Sequence, residues 1–223
     1  MQLDFAQREV TIKLVYYGPA MSGKTTNLQK LHARVGENSR GRLMMLDTHA
    51  DRTLFFDLLP IHFRSAGGLS IKLKLYTVPG QVMHNATRKV VLQSADGVAF
   101  IADSQTAEKK HNNESFANLR ENLREHGADP DLMPIVIQFN KRDLDPALIR
   151  TDDDIARLAL KGREPVFKAS ALRGEGVLPT FLGLARLTWD DLERKYQLAA
   201  KFGITAEQFL GQLKVHFGVA GGK

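Results

Sequence analysis

The sequence predicts an α/β protein: a doubly wound, mostly parallel six-stranded sheet with one antiparallel edge strand, followed by a C-terminal helical extension. Three observations carry this expectation. Continuous apolar runs at residues 10–17, 97–103 and 134–140 read as strands buried on both faces. Amphipathic helical stretches alternate with them, as the crossovers of a parallel sheet do. One segment departs from the rhythm: Ile71, Leu73 and Leu75 alternate with Lys72 and Lys74 behind Ala66-Gly67-Gly68. That period of two, with residues 61–64 before the turn, reads as an antiparallel hairpin whose lysines face solvent.

In chain order, residues 10–17 end in Val15, Tyr16 and Tyr17 and run directly into Gly18-Pro19-Ala20-Met21-Ser22-Gly23-Lys24-Thr25. The helix expected next, residues 25–35, places Leu28, Leu31 and Val35 on one stripe. Residues 36–41 are a loop by composition, and residues 42–46 a short apolar run. A polar patch at 47–53 precedes Leu54 and the Phe55-Phe56 pair, read as packing, or as a partner anchor if exposed. A polar helix at 107–127 carries Phe116, Leu119 and Leu123 on one face. A short helix at 152–160 and a short strand at 165–169 follow. A long helix starts near Val177, with Phe181, Ala185, Trp189, Leu192 and Tyr196 at steps of three and four, and ends at Phe202-Gly203. Thr205 and Gln208 then have capping-box spacing, Ile204 and Phe209 staple spacing, and Phe209, Leu210, Leu213 and Phe217 share a face. Residues 1–200 are therefore read as one domain, and 201–223 as an extension with a helix at about 205–217 and a short flexible tail. Packing on its own domain, binding a partner and lying on a membrane surface are the three roles open to that helix. A polar face poor in lysine and arginine weighs against the last.

Composition narrows the class. Apolar residues at 43% and charged residues at 25% are ordinary for a folded globular chain. Cysteine is absent, which excludes disulfides, thiolate metal sites and lipids carried on cysteine. The start, Met1-Gln2-Leu3-Asp4, has neither a basic signal head nor a myristoylation glycine, and no run reaches the ~18 apolar residues of a membrane span. A cytoplasmic protein with no integral membrane segment is the expectation. The net charge of +6 is scattered, with no platform of aromatic and basic residues, so nucleic acid is not an expected partner.

The chemistry begins at Gly18–Thr25, which has the spacing G-x-x-x-x-G-K-[ST] between a strand and a helix. Glycines let successive N–H groups converge on anionic oxygens, and the helix adds its positive end. Lys24 would reach the β- and γ-phosphates, and the Thr25 hydroxyl would ligate Mg²⁺. A phosphate cradle alone does not choose the base. Asn140-Lys141-Arg142-Asp143 follows the strand at 134–140, at the sheet edge where ligands bind. A carboxylate such as Asp143 accepts from both the N1–H and the 2-amino group of guanine; adenine offers neither in that arrangement. Asn140 would brace the loop, the Lys141 stem would cover the base, and Ser170-Ala171-Leu172 can give a backbone N–H to the guanine O6.

In this order the motifs resemble the Ras-like small GTPases, over residues 10 to about 187. The likeness is nearer still to the bacterial MglA type. Tyr16-Tyr17-Gly18-Pro19, Lys24-Thr25-Thr26-Asn27-Leu28, Arg52-Thr53-Leu54-Phe55-Phe56-Asp57, Leu75-Tyr76-Thr77-Val78-Pro79-Gly80-Gln81 and Ala102-Asp103-Ser104-Gln105 look like that family's signatures. The resemblance implies a switch that binds GTP and GDP with Mg²⁺, hydrolyses GTP slowly without an activator, and regulates bacterial polarity or gliding motility. It implies Gln81 and Arg52 as catalytic groups, Arg52 as a finger supplied in cis, although Arg52 also fits a surface ion pair with Asp47 or Asp51. Thr53 joins Thr25 as a metal ligand, and Gly80 contacts the γ-phosphate. Gly18, Ala20, Met21, Ser22, Gly23, Lys24, Thr25 and Thr26 complete the expected phosphate site, with Asn140, Lys141, Asp143, Ser170, Ala171 and Leu172 at the base. The implied partners are a Roadblock-type (MglB-like) activating dimer and polarity effectors, with recruitment to the cell pole through them. The family also shifts the strand after switch I, here residues 56–63, between states.

Two positions depart from the usual Ras-like pattern. Thr77 stands where an aspartate usually holds a magnesium-bound water, a feature shared with the MglA type. Thr77 itself, Asp47, Asp51 or Asp57 could take that duty. Ala20 stands where glycine is common, and its Cβ points toward the space that Gln81 and the finger need. Slow turnover with intact binding is the expectation, and a nucleotide-holding scaffold with negligible hydrolysis is the alternative. A P-loop kinase or ATPase is disfavoured by Asp143.

Overall fold

The computed structural model describes residues 1–46, 56–65 and 67–219. Strand β1 (Gln2–Asp4) folds back antiparallel on β2 (Glu9–Tyr17), which leads into helix α1 (Lys24–Arg34). Then come β3 (Met44–Leu46), β4 (Phe56–Arg64), β5 (Ser70–Thr77), α2 (Asn85–Leu92), β6 (Gly97–Asp103) and α3 (Lys109–Glu125). The chain continues through β7 (Ile135–Asn140), α4 (Asp152–Lys161), β8 (Val166–Lys168), α5 (Val177–Tyr196), α6 (Leu198–Phe202) and α7 (Ala206–His216).

The sheet runs β3-β4-β5-β2-β6-β7-β8, with β1 paired to β2 off this path. Strands β5, β2, β6, β7 and β8 are parallel neighbours, while β3, β4 and β5 pair antiparallel. The doubly wound α/β class holds. Six strands were expected and the sheet has eight among the described residues, because β1 and β3 are three residues each and too short to show a period. The expected hairpin is β4–β5, with Phe63 opposite Ile71 and Arg64 opposite Ser70; β3 lies outside it.

Side chains pack in a cluster on each face of the sheet. One gathers Leu28, Leu31, Phe181 and Trp189 from α1 and α5 with Leu73 and Leu75 of β5. The other joins Val15, Val98 and Phe100 to Leu119 and Leu123 of α3 and to Val91 of α2. The long C-terminal helix is interrupted: Gln197 sits in the left-handed region at φ 56°, ends α5 and leads into α6. Helix α7 belongs to the first cluster. Phe209 stacks on Trp189 with centroids 4.2 Å apart, and Phe217 lies 5.1 Å from Phe181. The Gly36 N–H donates to His216 O at 3.0 Å, so α7 also touches the loop after α1. Both arms of a capping box, Thr205 with Gln208, start this helix.

Candidate nucleotide and magnesium site

Strands β2, β5, β6 and β7 all end at the same sheet edge, and the loops that follow them meet there. After Tyr17 the chain turns through Gly18 at φ 145° and Met21 at φ 58°, and Gly23 at φ 96° caps α1. Left-handed residues interleaved with right-handed ones aim backbone N–H groups at one point. No side chain caps α1 and no acid of its own lies in its first turn, so the helix itself supplies no anion to its positive end.

Lys24 is buried, and its Nζ donates to Gly18 O at 3.0 Å and Pro19 O at 2.6 Å. Burial, helped by the Arg88 charge, pushes the ammonium down to about 7, while Asp57 works in the opposite direction. Ser22 Oγ is fully buried with no hydrogen-bond partner among the described residues. A desolvated cation, open N–H groups and an orphaned hydroxyl suit a ligand rich in anionic oxygens.

Asn140 ties the base loop to the phosphate loop. Its Nδ2 donates to Ser22 O at 2.7 Å, and its Oδ1 accepts from Ala171 N–H at 2.8 Å. A Cβ on Gly23 would stand 2.2 Å from that Nδ2, so the close approach requires glycine. The Ala171 N–H is thus committed to Asn140 in this structure and acts as a brace. Leu172 is exposed. Asp143 Oδ1 accepts from Ser170 Oγ at 2.7 Å, and this bond is the main reason its carboxyl stays below the usual range. An ionised, oriented carboxylate at the carboxyl edge of β7 is what a guanine edge needs. Lys141, at φ 66°, pairs with buried Asp103 at 2.5 Å, which fixes its stem along the loop. Asp103 belongs to the Ala102-Asp103-Ser104-Gln105 signature, but its pairing with Lys141 depends on the adjacent ends of β6 and β7 and does not show in the sequence.

Gly80 lies against the P-loop. A Cβ on it would be 2.3 Å from both N and Cα of Ala20. Gln81 is exposed, precedes a short 3-10 turn, Val82–His84, and lines a groove of about 740 Å³ that reaches from Ala20 and Met21 to His111 and Lys141. Thr26 is half-buried in the first turn of α1. Arg52 and Thr53, with Asp47 and Asp51, lie outside the described residues. A smaller cavity of about 430 Å³, lined by Pro130, Arg163 and Arg194, sits at the opposite sheet edge.

The donor set fits magnesium. The Thr25 hydroxyl is a hard oxygen ligand, and the Asp57 carboxylate that accepts its proton lies 2.6 Å away. Among the described residues no group of three or more His, Cys, Asp or Glu could hold a metal ion, so a cation here would lean on phosphate oxygens, as magnesium commonly does.

No family model matches the chain. It is 44% identical over 193 residues to the "Mutual gliding-motility protein MglA" of Myxococcus xanthus, covering 86% of this chain and 97% of that protein. The chain belongs to the MglA-type small Ras-like GTPases. More distantly, it is 26% identical over 122 residues to the Ras-related protein Rab-4B of rat and human, about half of either chain at 55%. Guanine-nucleotide binding and a P-loop GTPase fold therefore belong to this chain as family properties. No described helix is long and apolar enough to cross a membrane.

Proposed function

We propose that this GTPase is a cytoplasmic molecular switch that binds GTP with Mg²⁺, hydrolyses it slowly to GDP, and directs cell polarity or gliding motility through partners that read one state. The observation that carries the reading is the Asn140 brace, which joins the phosphate loop at Ser22 to the base loop at Ala171. One side chain thereby sets the distance between phosphate and guanine recognition.

In this reading the N–H groups of residues 20–25 and the Lys24 ammonium hold the phosphates, and Asp143 holds the base. Lys24 leaves the carbonyls of Gly18 and Pro19 for phosphate oxygens, which returns its full charge. Thr25, and Thr53 from switch I, would hold the magnesium, which when bound neutralises phosphate charge. Gln81 orients the attacking water and Arg52 neutralises charge on the transferring phosphoryl group. The exposed position of Gln81 is consistent with a switch segment that is ordered only in the GTP state or by an activator. The activator fitting this family resemblance is a Roadblock-type dimer, and the likeness to a gliding-motility protein of Myxococcus xanthus supports the motility output.

A nucleotide panel tests the reading. GTP and GDP at ~100 times Kd should stabilise the protein by about 2.7 kcal/mol in thermal unfolding. Greater stabilisation by ATP would overturn it. The contact between Gly80 and Ala20 favours a second reading, a scaffold with negligible turnover. Single-turnover phosphate release separates the two: Ala20→Gly should hydrolyse GTP faster than the natural protein, and equal rates would remove Ala20 as the brake. No release with an activating dimer present would favour the scaffold.

A further inference from the structure

Thr25, the first residue after Lys24, is the only described hydroxyl that the motif offers to magnesium. A hydroxyl has one proton and two lone pairs, so the partner that takes the proton decides where the lone pairs point. Thr25 Oγ1 donates that proton to Asp57 Oδ2 at 2.6 Å. Thr77 Oγ1 donates to the same oxygen at 2.9 Å and accepts from the Asp57 N–H at 2.8 Å. Thr77 thus uses its own donor and one lone pair to hold one residue, Asp57. Both are buried, at 9% and 3% exposure, so water cannot easily substitute for these bonds.

The sheet explains the meeting. Tyr16, near the end of β2, is opposite Thr77 at the end of β5, and Leu58 of β4 is opposite Tyr76. Asp57, one residue before Leu58, therefore lies beside Thr77 on the antiparallel partner strand, and its carboxylate reaches across to the first turn of α1. Its favourable effect on the Lys24 charge is a second sign that it faces the phosphate loop.

We propose that Asp57 is the acid that positions Thr25 for the divalent cation, and that Thr77 is its clamp and not itself a metal ligand. The assignment rests on the nucleotide-binding reading above. It chooses among the acids that the sequence left open, and it moves the carboxylate from β5 to β4. With its proton held by Asp57, Thr25 presents only acceptor capacity on its other side, which is the state a hard cation requires. Loss of such an outer partner typically lowers metal affinity by 10–100-fold.

The test is the release of a fluorescent GDP, N-methylanthraniloyl-GDP, from the full chain as MgCl₂ is titrated. In the natural protein, release slows as magnesium is added. Asp57→Asn should raise the magnesium concentration at half-effect by about tenfold or more, while release in EDTA stays close to that of the natural protein. Adding Thr77→Asp to Asp57→Asn returns a carboxylate to the neighbouring strand and should recover most of the shift. Thr77→Val, nearly isosteric, removes only the clamp and should give a shift of a few-fold; it keeps the idea testable if the aspartate variant fails to fold. A half-effect concentration within twofold of the natural value in Asp57→Asn, or in Thr77→Val where Asp57→Asn does not fold, would overturn the proposal. So would a double variant no better than Asp57→Asn. Failure of the natural protein to bind the fluorescent GDP at all would instead overturn the nucleotide-binding reading.

Discussion

Burial holds the Lys24 ammonium at about 7, whereas phosphate oxygens beside it would raise it again. The sign of the linkage follows. Above pH 7 the protein alone carries Lys24 largely deprotonated, and the complex carries it charged, so binding takes up a proton. GDP affinity should therefore fall as pH rises above 7, by up to about tenfold per pH unit. Calorimetry at pH 8.5 in two buffers of different ionisation enthalpy should show roughly one proton taken up per GDP; zero uptake would contradict the assignment. A second residue-scale expectation concerns Gly23, whose φ of 96° and closeness to Asn140 leave no room for a side chain. Gly23→Ala should cost about 1–3 kcal/mol in urea unfolding, because strain at a left-handed position adds to the displaced amide. It should also weaken GDP binding at least about tenfold through the broken brace, since 1.4 kcal/mol is a factor of ten. At this scale the sequence marked Gly23, Lys24, Thr25 and the Asn140–Asp143 loop by spacing alone. It could not choose Asp57 over Asp47 or Asp51, because the choice depends on which residue an antiparallel register sets beside Thr77. It also missed that Ser170 serves Asp143 by a side-chain bond and that Asp103 anchors Lys141.

Among the elements, α7 shows most plainly what packing adds to pattern. Phe209 is 1% exposed, stacks on Trp189 of α5 and lies 6.2 Å from Phe63 of β4. Removing that ring takes apolar area from two elements at once. Phe209→Ala should cost about 3–5 kcal/mol in urea unfolding, the range for a buried aromatic. Thr151→Ala, which removes only the capping box of exposed α4, should cost about 1 kcal/mol. Equal costs would mean that α7 contributes no more than a surface helix. The long buried strands β2, β6 and β7 were readable because parallel strands covered on both faces are apolar throughout. Strand β1 was not: Gln2-Leu3-Asp4 has no pattern, and its place is set by distant partners, including the Met1 ammonium bonded to Asp96. Helix α2 is eight residues and carried no capping signal. The break at Gln197 escaped because the residues around it keep the helical spacing and only the backbone angle changes.

At the scale of the whole molecule, β4 links two places that the sequence presents as unrelated. Its first residues bring Asp57 to Thr25 and Thr77, and its far end puts Phe63 against Phe209 and 5.0 Å from His216. His216 in turn sits 2.7 Å from Ser39, in the loop after α1, so α7 contacts both that loop and β4. A cation that engages the Asp57–Thr25 pair therefore loads one end of a strand whose other end carries α7. Hydrogen exchange can read this. GDP with MgCl₂ should slow amide exchange in β4 and in α7 relative to the protein alone, because local opening of β4 would now have to break the Asp57 contacts as well. GDP in EDTA should slow exchange in the phosphate loop and α1, which the nucleotide touches directly, and leave α7 unchanged. Exchange in α7 that is the same under all three conditions would show that β4 does not transmit the load. The C-terminal helix would then stabilise the fold without sensing the nucleotide.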